Sequence, residues 1–316
     1  MTSTAAADRS VRVDHLTKIF GSGTTAVRAV DDLSFEVGPG RVTGFLGPNG
    51  AGKTTTLRSL LGLVRPTSGG ATIGGRRYDE LERPAAVVGA ALEAASFHPG
   101  RSARDHLRVY APQVGVPDRR ADDVLELVGL APAADRRVGG FSLGMRQRLA
   151  LATTLLADPP VLLLDEPANG LDPEGIAWLR GFLRSLAAQG RTVLVSSHVL
   201  PEVEQTVDDV VIVAHGRLVH ASPLADLHRL ARRRVRVASP DHAGLDALVH
   251  RAGWATAGPD AGAPPGDLVV LDQDAATVGA AAFEAGLVLH HLSGQDGSLE
   301  DVFLALTRPA PDGTVA

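Results

Sequence analysis

The residues Gly47-Pro48-Asn49-Gly50-Ala51-Gly52-Lys53-Thr54 follow the spacing Gly, four residues, Gly-Lys-Thr. Glycines so placed let successive backbone N–H groups curl around phosphate oxygens with no Cβ in the way. Lys53 would then reach the terminal phosphates of a nucleotide as a compact charge, and the Thr54 hydroxyl, with Thr55 beside it, would face Mg²⁺. A second grouping lies further along. Val161-Leu162-Leu163-Leu164 is a continuous apolar run that ends in two acids, Asp165 and Glu166. Asp165 is suited to hold Mg²⁺, directly or through water, and Glu166 to polarise an attacking water. Each grouping has a plainer alternative: a glycine turn that binds nothing, and an acid pair that caps a helix or faces solvent.

Both groupings need elements to position them. Arg41 to Leu46 reads as a short apolar strand running directly into the glycine loop. Behind the loop, Leu57, Leu60, Leu61 and Val64 repeat at helical spacing, so the positive end of a helix would point at the bound anion. Val161–Leu164 reads as a strand buried on both faces of a parallel sheet, which puts its acids at the C-terminal edge where such sheets bind ligands. Further strands are predicted at Val11–Ile19, Leu33–Val37, Thr192–Val195 and Val210–Val213, and a hairpin at Thr67–Gly75. The stripe Ile176, Leu179, Phe182, Leu183, Leu186 predicts a helix ending at Gly190. From about residue 93 to 157 the pattern is mostly helical. Strand and helix alternate, which argues for an α/β architecture.

Here the chain resembles the ATP-binding subunits of ABC (ATP-binding cassette) transporters, over essentially all of residues 10 to 230. Phe141-Ser142-Leu143-Gly144-Met145-Arg146-Gln147 is similar to the ABC signature in the variant found among ABC-2 type drug exporters, with Leu143 and Met145 where the wider consensus has Gly and Gln. The resemblance implies that Ser142 and Gly144 contact the γ-phosphate of ATP held by a second copy; Ser142 alone would be an ordinary helix cap. Asn169-Gly170-Leu171-Asp172-Pro173 matches the D-loop, which implies that Asp172 lies at the dimer interface. Ser197-His198 matches the H-loop, which implies that His198 contacts the γ-phosphate and holds the attacking water. Phe20 matches the aromatic that stacks on adenine, though Phe at a strand end is more often core. Glu93 falls where most members carry the Q-loop glutamine, a ligand to Mg²⁺ or water. Related bacitracin-resistance ATPases carry a similar stretch to Ser96-Phe97-His98-Pro99, and the plain alternative is an ordinary loop acid.

The implied fold is a P-loop NTPase of the ABC type, with a RecA-like core, an antiparallel β subdomain and a helical subdomain over about 93–157. Residues 1–9 read as a loose polar tail. After 230 the composition changes, and residues 231–316 read as a small α+β accessory or regulatory domain. It is predicted to contain strands Val235–Ala238, Leu268–Leu271 and Leu287–Leu292 and helices Ala243–Ala252 and Ala275–Ala285. Ser298 to Phe303 resembles the ending of drug-exporter ATPases.

Composition bounds the partners. The net charge is −5, which argues against nucleic acid as a partner, and the absence of cysteine removes disulfides and Cys-based metal sites. Lysine stands only at Lys18 and Lys53 in a chain whose other basic residues are arginine. The first thirty residues lack the apolar stretch of a secretory signal, and no run of apolar residues is long enough to cross a bilayer. The expectation is a motor that hydrolyses ATP with Mg²⁺ as a homodimer or pseudo-dimer. It would sit at the cytoplasmic face of the cell membrane, held by a separately encoded integral-membrane permease that exports a small molecule such as a drug or antibiotic. The competing reading is a non-transport ABC ATPase acting on a cytoplasmic macromolecule. One phosphate loop and one signature, less than about a hundred residues apart with no heptad run, favour the transporter. A catalytically dead interaction module is disfavoured by the presence of the lysine, both acids and the histidine.

Overall fold

The computed structural model describes residues 9–92, 97–199, 204–231, 233–257, 267–295, 297 and 299–307. Glu93 and almost all of the polar tail lie outside the described residues. The chain divides into two compact units, a first that runs to Leu224 and also takes in Leu306 and Thr307, and a second from Ala225 to Ala305.

The first unit is built on a sheet of β5 (Val88–Ala91), β6 (Val161–Leu164), β7 (Thr192–Ser197), β3 (Val42–Leu46), β8 (Asp209–Ala214) and β9 (Arg217–Pro223), in that spatial order. All neighbours are parallel except β8 and β9. Strands β3, β6 and β7 are buried along their whole length, which is why their sequences lack the alternation of half-exposed strands. A second, antiparallel sheet has the order β2 (Val27–Val37), β1 (Val11–Phe20), β4 (Ser68–Ile73). The two sheets share one core around helix α1 (Lys53–Leu60). Val11, Val13, Leu33 and Phe35 come from one side, Phe45, Leu163 and Leu194 from the other, and Leu57 and Leu60 from the helix. Phe35 and Phe45 meet with ring centroids 5.1 Å apart. Each such side chain, fully buried, contributes roughly 1.5–3 kcal/mol.

The stretch 67–75 turns back only at its end, where Gly74-Gly75 reverse the chain and Ile73 and Arg76 exchange backbone hydrogen bonds in an isolated antiparallel bridge. Ser68–Ile73 is a single strand whose partner is β1, in the register Val11↔Ile73 to Thr17↔Ser68. Gly69 serves close approach: a Cβ on it would stand 2.0 Å from the His15 carbonyl oxygen. The edge strand β9 and the short strand β5 carried no distinct alternation and emerge only from pairing with β8 and β6.

A one-turn α2 (Pro84–Val87) leads into β5, and between β5 and β6 lie helices α3 (Ala103–Tyr110), α4 (Arg120–Leu127) and α5 (Leu143–Thr154). Ser102 caps α3 by accepting from the Asp105 N–H. Helix α6 (Pro173–Ala188) covers the sheet with Leu179, Phe182, Leu183 and Leu186, matching the predicted stripe.

The second unit contains α7 (Leu224–Arg229, which straddles the division), a sheet of order β11 (Leu268–Leu271), β10 (Arg234–Ala238), β12 (His291–Gln295), and helices α8 (His242–Ala252), α9 (Ala275–Glu284) and α10 (Leu299–Thr307). Val235, Val237, Leu245, Val249, Val270 and Val278 form its core. The strand expected at Leu287–Leu292 starts later, at His291. Leu287 and Leu289 pack onto this core from the connection after α9, so their alternation reflects burial without a strand ladder. His290 accordingly precedes the strand. Helix α10, which is not among the predicted elements, carries Leu299, Val302, Phe303 and Leu306 at helical spacing, with Leu299 and Phe303 buried.

His106 on α3 is buried among rings, with Phe97 at 4.8 Å and Tyr110 at 5.0 Å between centroids. Its Nε2 lies 3.2 Å from Thr153 Oγ1, which itself donates to the Leu149 carbonyl, so Nε2–H is the donor and Nδ1 the unprotonated nitrogen. Burial, reinforced by Arg101, holds the imidazole pKa down at about 4. In the unfolded chain the same group takes up its proton near 6.5. The unfolded state therefore binds more protons across this window, and stability is lost as pH falls from about 6.5 through about 4. Urea unfolding across this range should show midpoints dropping with pH in the native protein, and a shallower drop in His106→Leu.

Candidate active site

The parallel register of the first unit places three strand ends side by side. β3 pairs with β7 through Phe45↔Ser196 and Leu46↔Ser197, and β6 pairs with β7 through Leu164↔Val195. The residues that leave these strands are the glycine loop from Gly47, the acids Asp165 and Glu166, and Ser197-His198. The Gly47 N–H donates to the Ser197 carbonyl at 3.3 Å, tying the loop to the end of β7.

The loop has the shape its glycines permit. Gly52, the N-cap of α1, has φ of 98°, and a Cβ there would stand 2.5 Å from the Ala29 carbonyl oxygen. A Cβ on Gly47 would come within 2.3 Å of the Val213 carbonyl oxygen. A cavity of about 330 Å³ opens over the loop, lined by Ala29, Asn49, Gly50, Ala51, Gly52, Lys53, Thr54, Thr55 and Glu166. Pro48 is exposed at its rim.

Lys53 is the first residue of α1 and its side chain is only 6% exposed. The amine donates to the Gly47 carbonyl at 2.5 Å and the Pro48 carbonyl at 3.3 Å, and lies 3.6 Å from Glu166 Oε1. Burial lowers its pKa, while the negative charges of Glu166 and Asp165 pull it back up. Thr54 Oγ1 donates to Asp165 Oδ2 at 2.7 Å. A hydroxyl and a carboxylate oxygen at that separation, below an anion-binding loop, fit Mg²⁺, which takes one or two protein oxygens and completes its shell with phosphates and water. His198 Nδ1 lies 2.9 Å from Glu166 Oε2. A carboxylate oxygen can only accept, so Nδ1 carries the proton in this contact. Glu166 stands between the lysine and the histidine with φ of 50°, a left-handed conformation that a side-chain-bearing residue adopts only when its surroundings impose it.

The other expected site residues are placed differently. Ser142 is exposed and caps α5, its Oγ accepting from the Met145 N–H at 3.2 Å, and Gly144 lies in the first turn of that helix. Asp172 caps α6, accepting from the Gly175 N–H at 2.8 Å. Within one chain both serve as helix caps, and both remain at the surface. A cavity of about 380 Å³ lies next to the acids, lined by Leu143, Gln147, Asp165, Glu166, Asn169 and Gly170 among others. Gln147 Nε2 donates to the Pro167 carbonyl at 2.8 Å, linking α5 to the segment that follows the acids. Phe20 ends β1 with its ring largely exposed, and the Lys18 amine sits 4.8 Å from the ring centroid. Sequence reasoning missed Ser196, whose hydroxyl touches both Asp165 and the Glu166 backbone. The available signal was a pair of polar residues, Ser196-Ser197, closing an otherwise apolar run.

A family model described as ABC transporter matches residues 30–169. The Bacitracin transport ATP-binding protein BcrA of Bacillus licheniformis is 42% identical over 226 residues, covering 71% of this chain and 72% of that protein. The chain belongs to the ABC transporter ATP-binding family. The Lantibiotic transport ATP-binding protein SrtF of Streptococcus pyogenes is 36% identical over 209 residues, covering 66% of this cassette chain and 89% of the other. A solved ATP-binding subunit of an ABC transporter superposes with a TM-score of 0.61 at 29% identity, over 70% of this chain and 92% of that one. A dimeric ATP-binding cassette in a post-hydrolysis state with ADP and Pi shares the fold with a TM-score of 0.62 at 22% identity, over 68% of this chain and 98% of that one. Residues 233–300 match a domain of unknown function, DUF8746.

In this ABC cassette the lysine is the one buried cation facing the loop cavity among the described residues. Charge-assisted hydrogen bonds of the kind it can give to phosphate are worth about 1.5–3 kcal/mol. Lys53→Ala should weaken nucleotide binding roughly 10- to 100-fold, read by titration with a fluorescent ATP analogue, with the far-ultraviolet circular dichroism unchanged.

Proposed function

We propose that this chain is the motor subunit of an exporter: two copies bind and hydrolyse Mg-ATP between them and drive a separate integral-membrane permease. The carrying observation is the convergence of Lys53, Thr54, Asp165, Glu166 and His198 at three adjacent strand ends. Lys53 holds the terminal phosphates together with the loop amides, and Phe20 offers an exposed ring for the base. Bound Mg²⁺, held by Thr54 and Asp165, supplies neutralisation of charge on the phosphate oxygens. Glu166 takes the proton of the attacking water, and His198 holds the Glu166 carboxylate in place and contacts the γ-phosphate. Ser142, Gly144 and Asp172 lie on surface helix starts, where a second copy can present its own nucleotide to them.

The cargo of the proposed exporter is a small molecule of the drug or antibiotic class. Support comes from relatives whose names specify bacitracin and lantibiotic transport and, in Paraburkholderia xenovorans, Nod factor export. Among the described residues no helix is long and apolar enough to cross a membrane, so passage of cargo is assigned to the permease. Attachment to it would hold the chain at the cytoplasmic face. Glu93 is kept as a candidate for the loop that contacts Mg²⁺ and senses the permease, and residues 231–316 as an accessory domain with no part in the chemistry.

Two variants test the shared site. Glu166→Gln keeps the shape and removes the base, which should slow hydrolysis about 10²–10⁴-fold while leaving the Lys53 and loop contacts to nucleotide. With Mg-ATP this variant should accumulate as a dimer with two trapped ATP molecules, seen by light scattering and bound-nucleotide analysis. Hydrolysis at the native rate would place the base elsewhere. Ser142→Arg puts a bulky cation on the closing surface, and should abolish hydrolysis while the isolated monomer binds ATP nearly as well as the native chain. Equal loss of monomer binding would remove Ser142 from the shared site.

A further inference from the structure

The two acids are held by a residue from a neighbouring strand. Ser196 lies near the end of β7 and is fully buried. Its hydroxyl donates to Asp165 Oδ1 and accepts from the Glu166 main-chain N–H at 2.9 Å. A hydroxyl has one proton and two lone pairs, so it makes both bonds at once with the correct polarity. The other carboxylate oxygen of Asp165, Oδ2, accepts from Thr54 Oγ1 at 2.7 Å. Asp165 is thereby fixed at both oxygens, with Oδ1 turned into the sheet and Oδ2 turned toward the loop.

The second bond acts on a strained residue. Glu166 has φ of 50°, and a side-chain-bearing residue in that region stays there only where its neighbours hold it. The Ser196 hydroxyl engages the Glu166 N–H at the point where the chain turns out of β6. That turn brings Oε2 to 2.9 Å from His198 Nδ1 and Oε1 to 3.6 Å from Lys53 Nζ. Since β7 also leads into His198, one strand end sets the metal-facing oxygen, the backbone of the base and the histidine that meets it.

We propose that Ser196 is the positioning residue of this site, orienting Asp165 through its carboxylate and Glu166 through its backbone. It touches no substrate; it acts through the two acids. The catalytic part of this inference rests on the hydrolytic function proposed above, whereas the contact itself can be tested without nucleotide.

Ser196→Ala removes the hydroxyl with little change of volume. In the nucleotide-free protein, exchange of the Glu166 amide hydrogen should quicken about two- to tenfold, while amides in the middle of β6 keep their native rates. Removing a partner of this kind typically costs about 10- to 100-fold in metal affinity or activity. The expected result is therefore a kcat lowered by that factor, a KM for ATP within about twofold of native, and a higher Mg²⁺ concentration for half-maximal tight retention of a fluorescent ATP analogue. Ser196→Thr keeps the hydroxyl and should restore kcat and Glu166 protection toward native values. Placed in the Glu166→Gln background, Ser196→Ala should lower the rate by a smaller factor than in the native protein, the remainder being the share carried by the Asp165 contact. An unchanged Glu166 exchange rate would overturn the contact. A kcat loss that multiplies fully with that of Glu166→Gln, or an unaltered Mg²⁺ dependence with native kcat, would overturn the positioning role. If the native protein fails to hydrolyse ATP at all, the proposed function falls, and the exchange comparison still decides whether Ser196 holds Glu166.

Discussion

Backbone hydrogen bonding that keeps β6, β7 and β3 parallel and level is the constraint on which the site depends. Leu164 stands opposite Val195, and Phe45 and Leu46 stand opposite Ser196 and Ser197. A slip of one residue would turn every side chain of a strand to the other face. With both faces of all three strands buried, such a slip would press each side chain into packing shaped for another. The chemistry is thus aligned by residues that take no part in it. The shared core of Phe35, Phe45, Leu57, Leu163 and Leu194 holds α1 and its loop above the same edge.

Charge is distributed over this edge in a balanced way. Lys53 loses solvation by being buried, which weakens its hold on its proton, and Glu166 and Asp165 return part of that loss. Carbonyl oxygens of Gly47 and Pro48 take up its N–H groups. Glu166 in turn is flanked by the lysine and His198. A buried charge left alone would be expensive, so each ionic group here is placed against another of opposite sign. Nucleotide phosphates would replace the backbone carbonyls as partners of the lysine without exposing it.

Much of the first unit was legible in the sequence. The glycine loop could be read because only a small set of residue types tolerates φ of 98° at Gly52 or the close approach at Gly47. Strands buried on both faces declared themselves as apolar runs, and α6 as a stripe. Legibility failed where an element owes its form to a distant partner. β4 looked like a hairpin because its glycines and threonine are turn-prone, yet its ladder is with β1. β9 is an edge strand of mixed composition, defined by pairing with β8. In the second unit the alternation at Leu287 and Leu289 came from packing on the core, three residues or so ahead of the actual ladder.

The sequence by itself determined the inventory of the site: a phosphate loop with its lysine and threonine, two acids after a buried strand, a histidine after another, and helix starts bearing Ser142 and Asp172. These are local facts, set by residue type and by spacing within one segment. Only the tertiary structure decided which of them meet. The bond from Thr54 to Asp165 spans 111 positions and that from His198 to Glu166 spans 32, and no local rule fixes either. Ser196 was invisible as a site residue for the same reason. A serine in a strand has no special meaning until the neighbouring strand places a carboxylate and an amide on either side of its hydroxyl.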